Sequence, residues 1–320
     1  MGRGALFAHR GSGGNNMRQI SRRRLLGSAV AAAGAIGCGA WAAEAGRKTG
    51  RAKVVVVTCP DVIDKDKPLN APALRRMMDA GITALAGKRD VKEAWKSFIR
   101  PGDNVALADS GTWLNNVPEV VVETMRGITM ASPKAVTLTY CALDEMKPEF
   151  LSQLRDGLKR QGISPSLMDG SVYTIKSNYH KRNYTSLVMT PTVKRHSIAG
   201  VGGVVKHYST MSKDGPAPHH PNAMETAGSV IVPEFGHMSH LVIVDALRFG
   251  DLTKGPMFWQ KSLIFGTDPV ATDVIALEVY LRNCKPYENL PPERHRILAD
   301  TRYHAGISDR ARIDVTDIRV

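Results

Sequence analysis

Cysteine is scarce in these 320 residues: four, at Cys38, Cys59, Cys141 and Cys284, with no Cys-x-x-Cys spacing. The three beyond the N-terminal region cannot supply the four thiolates of an ordinary iron–sulfur cluster, so no self-contained cluster is expected. They read as buried apolar thiols, with one disulfide available in an oxidising compartment. Aromatic residues make up 6% of the chain. No basic stripe interleaves with them, so nucleic acid is not an expected partner. Acid is missing altogether from residues 1–42, which carry Arg3, Arg10, Arg18, Arg22, Arg23 and Arg24. Without those six arginines the formal charge falls from +13 to +7, spread among acids. That is a surface compatible with a small anionic partner.

A long, strongly apolar run is also lacking. The uncharged stretch Leu25–Ala43 is built from alanine and glycine and is weakly hydrophobic for a membrane span. Preceded by Ser21-Arg22-Arg23-Arg24-Leu25-Leu26 and followed by Ala40-Trp41-Ala42, it reads as an export signal cleaved before Ala43. The paired arginines resemble the twin-arginine type, which implies the twin-arginine export machinery as a partner and a periplasmic or extracytoplasmic destination. An uncleaved signal, or lipidation at Cys38, would tether the protein to the membrane. Met17 offers a second start site. Twin-arginine export carries folded proteins, often with a cofactor already in place, so a bound cofactor is expected. Residues 1–42 are therefore read as signal peptide with extension, and 43–320 as a single domain.

At 43% apolar residues, that domain is large enough for a substantial core. Lys53–Cys59, Asn104–Asp109, Ala135–Tyr140, "SLVMTP" and "HLVIVDAL" are β-branched or apolar runs of strand length. Between them lie helical patterns. One opens at Asn70 and Pro72 and stops near Gly87, and another follows Asp90. A third begins at Pro118, and a fourth runs from Pro148 to a cap at Gly162. Asp268 and Pro269 open a further helix, a helical stretch covers Glu293–Thr301, and "RIDVTDIRV" closes the chain as a strand. The alternation predicts an α/β fold with a mainly parallel sheet flanked by helices. Its Gly- and His-rich loops should lie at the carboxyl ends of strands, where such sheets bind ligands.

Those loops concentrate the chemistry. Seven of ten histidines fall between His180 and His240, around Lys194-Arg195-His196, the turn Gly200-Val201-Gly202-Gly203, and Lys206. Histidine suits metal ligation or proton transfer near neutral pH. A lysine beside a glycine turn can hold an anion or form a covalent link. The glycines allow backbone to approach a ligand. His219-His220 sits in the Pro/Gly-rich "DGPAPHHPN", and Asp245 near a strand end could orient a histidine or bind a metal. The reading is a metal- or anion-binding loop system. His196 and Lys206 are its candidate catalytic groups. Lys194, Gly200, Gly202, Gly203 and Lys206 are candidate cofactor-binding residues, and His196, His219, His220 and Asp245 candidate metal ligands. His207, His237 and His240 read as structural or solvated. Asp268 and Asp273 read as a helix cap and a first-turn acid.

"TPTVKRHSIAGVGGVVKHY", then "LVIVDAL", then "GTDPVATDVIALEVY" resemble the domain of unknown function 362 family over roughly residues 100–285. Asp109-Ser110-Gly111 departs from the Lys-Pro-Asn that many members carry at that point. The stretch from His196 through Gly200 to Lys206 also resembles a motif of nickel-pincer lactate racemases, with the Gly-Gly pair displaced by one position. That second resemblance implies Lys206 as a cofactor tether and His196 as metal ligand or acid/base. Together they imply an exported, metal- or cofactor-dependent enzyme acting by proton transfer or redox chemistry on a small anionic organic molecule. Two alternatives stay open: a non-catalytic periplasmic metal- or carboxylate-binding protein, and a partner subunit of an iron–sulfur redox complex.

Overall fold

A computed structural model describes residues 50–109, 116–140, 148–164, 166–167, 183–212, 222–251, 255–287 and 289–320. The signal segment, Cys141, His180, His219 and His220 lie outside the described residues. In chain order the elements begin with β1 (Ala52–Thr58), α1 (Ala71–Ala86), α2 (Val91–Lys96), β2 (Asn104–Asp109), α3 (Pro118–Met130), β3 (Ala135–Tyr140), α4 (Pro148–Arg160) and β4 (Ser166–Leu167). They continue with β5 (Ser186–Thr190), β6 (Thr192–His196), β7 (Gly200–Gly202), α5 (Val204–Thr210), α6 (Ala223–Thr226), β8 (Ser239–Asp251), β9 (Gly255–Phe258) and β10 (Ser262–Gly266). The last three are α7 (Pro269–Leu281), α8 (Arg294–Thr301) and β11 (Ile313–Arg319).

Local chemistry sets the helix ends. Asn70 caps α1 by accepting from the Ala73 N–H at 3.2 Å, and Gly87 stops the helix with φ 65°. Asp90 caps α2 in the same way, through the Glu93 N–H at 2.9 Å. Pro118 opens α3 at a position whose N–H has no helical partner. Asp268 caps α7 through the Val270 and Ala271 N–H groups, both at 3.0 Å.

The strands form one sheet in the order β11-β1-β10-β8-β5-β2-β3-β4, with β6, β7 and β9 attached beside β8. Along that path every pairing is parallel except the two made by β10. The α/β class with a mainly parallel sheet is therefore present as expected. The reversed strand β10 was not read from the sequence. Its cause is a hairpin: β9 folds back antiparallel on the far half of β8, so the chain re-enters the sheet running against β8.

Side chains alternate between two apolar layers, following the two-residue period of a strand. Val55, Val57, Leu107, Val188, Ile243 and Phe265 face α1–α4, where Leu74, Met78, Trp95 and Met125 meet them. Val54, Val56, Met189, Val242, Val244 and Ile264 face the other layer, with Val205, Tyr208, Ile275, Tyr280 and Ala299. Cys59 and Cys284 are buried free thiols. Among the described residues no helix is long and apolar enough to cross a membrane.

Candidate functional site

The chain leaves β5 at its carboxyl end, passes Pro191, and continues as β6 alongside the extended far half of β8. It then turns back as β7, pairing Lys194 with Gly202 and His196 with Gly200. Gly203 leads into α5, whose third residue is Lys206. The Gly- and His-rich segment thus stands beyond the carboxyl end of a central parallel strand.

The glycines make room for the protein itself. Gly200 has φ +68°, and a Cβ there would come within 2.8 Å of the Leu290 carbonyl oxygen. At Gly203 a Cβ would lie 2.1 Å from Asp273 Oδ1. Gly202 is less constrained, with His196 at ordinary contact distance. Close approach was read from sequence as approach to a ligand. At Gly200 and Gly203 the backbone instead approaches the Leu290–Pro292 segment and α7.

Asp273 explains why α5 begins where it does. Its Oδ2 accepts the Val205 N–H at 2.8 Å, and its Oδ1 accepts Arg296 Nη2 at 2.9 Å. Arg296 further donates to the carbonyl oxygens of Pro292, Val201 and Asp273. Both ionic side chains are almost wholly buried. Asp273 is therefore a structural clamp joining α5, α7 and α8 rather than a first-turn acid, and it fixes the turn that carries Lys206.

His196 is 3% exposed. Its Nδ1 accepts the Ile198 N–H at 3.2 Å, so that nitrogen carries a lone pair and the ring proton sits on Nε2. Metal-bound histidines show the reverse pattern, ligating through one nitrogen and donating an N–H from the other. His196 in this setting is a hydrogen-bond donor. Lys206 is 8% exposed, and Lys194 is half-buried on β6. Both ammonium groups bear on His207, which burial first, then Lys206 and Lys194, push down to about 3. On α8, His295 is 1% exposed. Burial, Arg296, His196 and Lys206 hold it well below the usual imidazole range. His196, Lys206 and His295 therefore belong to one electrostatic neighbourhood, drawn from β6, α5 and α8.

Asp245 is elsewhere. It lies within β8, at the level where β5 ends, since its N–H donates to the Pro191 carbonyl at 2.8 Å. Its neighbours Val244 and Ala246 belong to the α5–α8 layer, so Asp245 points to the opposite layer. There it accepts the Val117 N–H at 2.8 Å and the Leu247 N–H at 3.1 Å, anchoring the start of α3. The expectation that Asp245 orients a histidine or binds a metal beside the glycine turn is corrected by strand parity. Among the described residues no group of three or more His, Cys, Asp or Glu side chains could hold a metal ion. The suggested ligands His219 and His220 lie outside those residues.

The other histidines separate cleanly. His240 donates from Nε2 to the Phe235 carbonyl at 3.0 Å, which leaves Nδ1 to accept the Tyr208 hydroxyl at 2.5 Å. It is structural, as expected, and His237 is exposed. Arg195 turns away from the cluster. Its guanidinium lies 4.1 Å above the Tyr287 ring, beside a cleft of about 490 Å³ lined by Lys285, Pro286, Tyr287, Asn289, Leu290 and Pro291.

Sequence reasoning missed His295. A signal was present in α8, whose inner face is polar: His295, Arg296 and Asp300 are buried while Ile297 is 45% exposed. A helix that turns its isoleucine outward and its ionisable residues inward is held by something other than apolar burial.

The buried imidazoles make stability depend on pH. His207 titrates near 6.5 when unfolded and near 3 when folded. On acidification the unfolded chain binds the proton first, so stability present above pH 6.5 is lost as pH falls toward 3. The loss from His207 alone at pH 5 is about 2 kcal/mol, and His295 acts in the same direction. Asp245 opposes them. Burial raises it from 3.8 to about 6 despite the Val117 N–H bond. Its contribution is complete below 3.8 and disappears as pH rises through 6. Two histidines against one acid leave a fold weaker at pH 5 than at pH 7. In urea unfolding, His207→Leu should shrink that difference; an unchanged difference would contradict the burial of a neutral His207.

No family model matches the chain, and no curated protein matches it. Among solved structures, a Thermotoga maritima protein shares 10% identity at a TM-score of 0.37, over 69% of this chain. The chain spans 60% of that protein's length.

Proposed function

We propose that this protein binds a small organic anion between β6, α5 and α8 and acts on it by proton transfer. The observation that carries this reading is the state of His196. Its Nδ1 accepts the Ile198 N–H, so the ring proton stands on Nε2, in the same neighbourhood that the Lys206 ammonium bears on. A donor and a cation together suit an oxyanion. They oppose a bare divalent ion: one ammonium at about 5 Å repels it by about 7 kcal/mol at an effective dielectric of about 20. A negatively charged organic cofactor fits the same charge pattern, with Lys206 holding its charge and His196 its oxygen. Such a cofactor would supply the redox or electron-sink chemistry that side chains lack. In this reading His196 moves the proton, because burial leaves His207 and His295 too weakly basic to take one near pH 7.

This reading carries the resemblance to the domain of unknown function 362 family forward as a proposal, along with export by the twin-arginine route. The site's test needs no knowledge of the substrate. Purified protein would be incubated in D₂O with a panel of small carboxylates and phosphate esters, and NMR would follow deuterium entering carbon positions next to the anionic group. Exchange is expected for at least one compound, with at least a tenfold loss in His196→Gln. Binding without exchange anywhere in the panel would favour a non-catalytic carboxylate-binding protein instead.

A further inference from the structure

We propose that His295 contacts the bound anion directly, as the third wall of the pocket made by His196 and Lys206. The inference rests on the anion-site reading above and extends it to a residue distant in sequence. Both ring nitrogens of His295 lack a hydrogen-bond partner among the described residues, although the side chain is 1% exposed. Its surroundings make that unusual. In the same layer Tyr208 is paired with His240, Asp273 with Arg296, and Ser212 with Glu234; Asp300 accepts from the Ser308 N–H and hydroxyl. Buried polar groups in folded proteins are almost always satisfied, and one that is not marks a place where a partner arrives from outside the chain.

The charges around His295 say what kind of partner fits. Arg296 beside it on α8 is matched by Asp273 of α7. Lys206 of α5 and His196 of β6 bear on the ring from the other elements. On α6, Glu225 is engaged by Arg294, on the more exposed side of α8. The side chains that bear on the imidazole are thus basic, and the carboxylates of Asp273 and Glu225 are already committed. A cationic ligand would meet repulsion from Lys206. An oxyanion would draw on the Lys206 charge while taking or giving one hydrogen bond at the His295 ring. The expected ligand class is a small carboxylate or phosphate, compact enough to touch residues from three elements.

The substitution has a signature that a structural histidine lacks. A satisfied core histidine loses stability when replaced, and its ligand affinity follows only through unfolding. An unsatisfied one in a binding site behaves oppositely: an apolar replacement leaves the empty protein as stable or more stable, and affinity falls. Inorganic phosphate and oxalate are the probes, titrated by calorimetry into wild type, His295→Leu, His295→Gln and Lys206→Met. The expected result is a 10- to 100-fold weaker affinity in His295→Leu, a smaller loss in His295→Gln, and a melting temperature at or above wild type in at least one of them. The ring-nitrogen signals of ¹⁵N-labelled His295 should move on titration of wild type. Unchanged affinity in both His295 variants, with unmoved ring signals, would overturn the inference while Lys206→Met still lost binding. If wild type bound neither probe, the anion-site reading would fall and this inference with it.

Discussion

Replacing Asp273 by alanine is expected to lower the stability of the fold by about 3–5 kcal/mol, because Arg296 is then left charged and buried with no counter-ion. The pair is almost fully inaccessible at 2.9 Å, and the carboxylate also accepts the Val205 N–H that starts α5. Alanine removes both at once. Arg296→Met should cost a similar amount for the complementary reason. The double variant Asp273→Leu/Arg296→Met should recover most of the loss, since exchanging a whole buried pair for apolar groups is often near neutral. Wild type, Asp273→Leu, Arg296→Met and the double variant form a thermodynamic cycle measured by urea unfolding. A single-variant loss below about 1 kcal/mol would contradict the burial of Asp273 and Arg296 as a charged pair.

Asp273 also shows what a sequence conceals. As the fifth residue from a proline-opened helix start it reads as a first-turn acid favouring the helix dipole. That reading uses neighbours within four residues. The group it serves, the Val205 N–H, is 68 positions away, and no local rule reaches so far. The elements themselves were legible because their causes are local: Asn70, Asp90, Pro118 and Asp268 mark starts, Gly87 marks a stop, and β-branched runs mark the central strands. The reversed direction of β10 was not legible, since it follows from how β8 and β9 fold back on each other. The Lys194–Gly202 pairing escaped for the same reason: the glycine turn was visible, and the hairpin around it was not.

The histidine cluster in the sequence overstates the cluster in space. Of the described histidines between His180 and His240, His207 is buried beside two lysines, His237 is exposed, and His240 is bonded to Tyr208. His196 is the one that bears, together with Lys206, on the distant His295. Asp245 was drawn to the site by its place near a strand end, and lost to it by parity: one residue either way would have put it on the α5–α8 face. Helix α8 carried no sequence motif. Its buried face is chosen by Arg296 meeting Asp273, which places His295 inside as a consequence.

Lys206→Met is expected to weaken binding of phosphate or oxalate by about 30- to 5,000-fold, matching the 2–5 kcal/mol lost when one partner of a close charged contact is truncated. The fold should tolerate the change. Methionine keeps the length of the lysine stem and fills irregular space in the α5–α8 layer. Asp273 continues to hold Val205 and hence the first turn of α5. Removing the ammonium also removes a positive neighbour from His207 and His295. Both imidazoles should then protonate more easily, and the acid weakening of the fold should shrink in parallel with the lost binding. That coupling separates an electrostatic role from a packing role. A methionine variant that bound anions normally would show that Lys206 is no part of the site. One that lost binding with an unaltered pH dependence would place its charge away from the imidazoles, and the pocket would have to be drawn without α8.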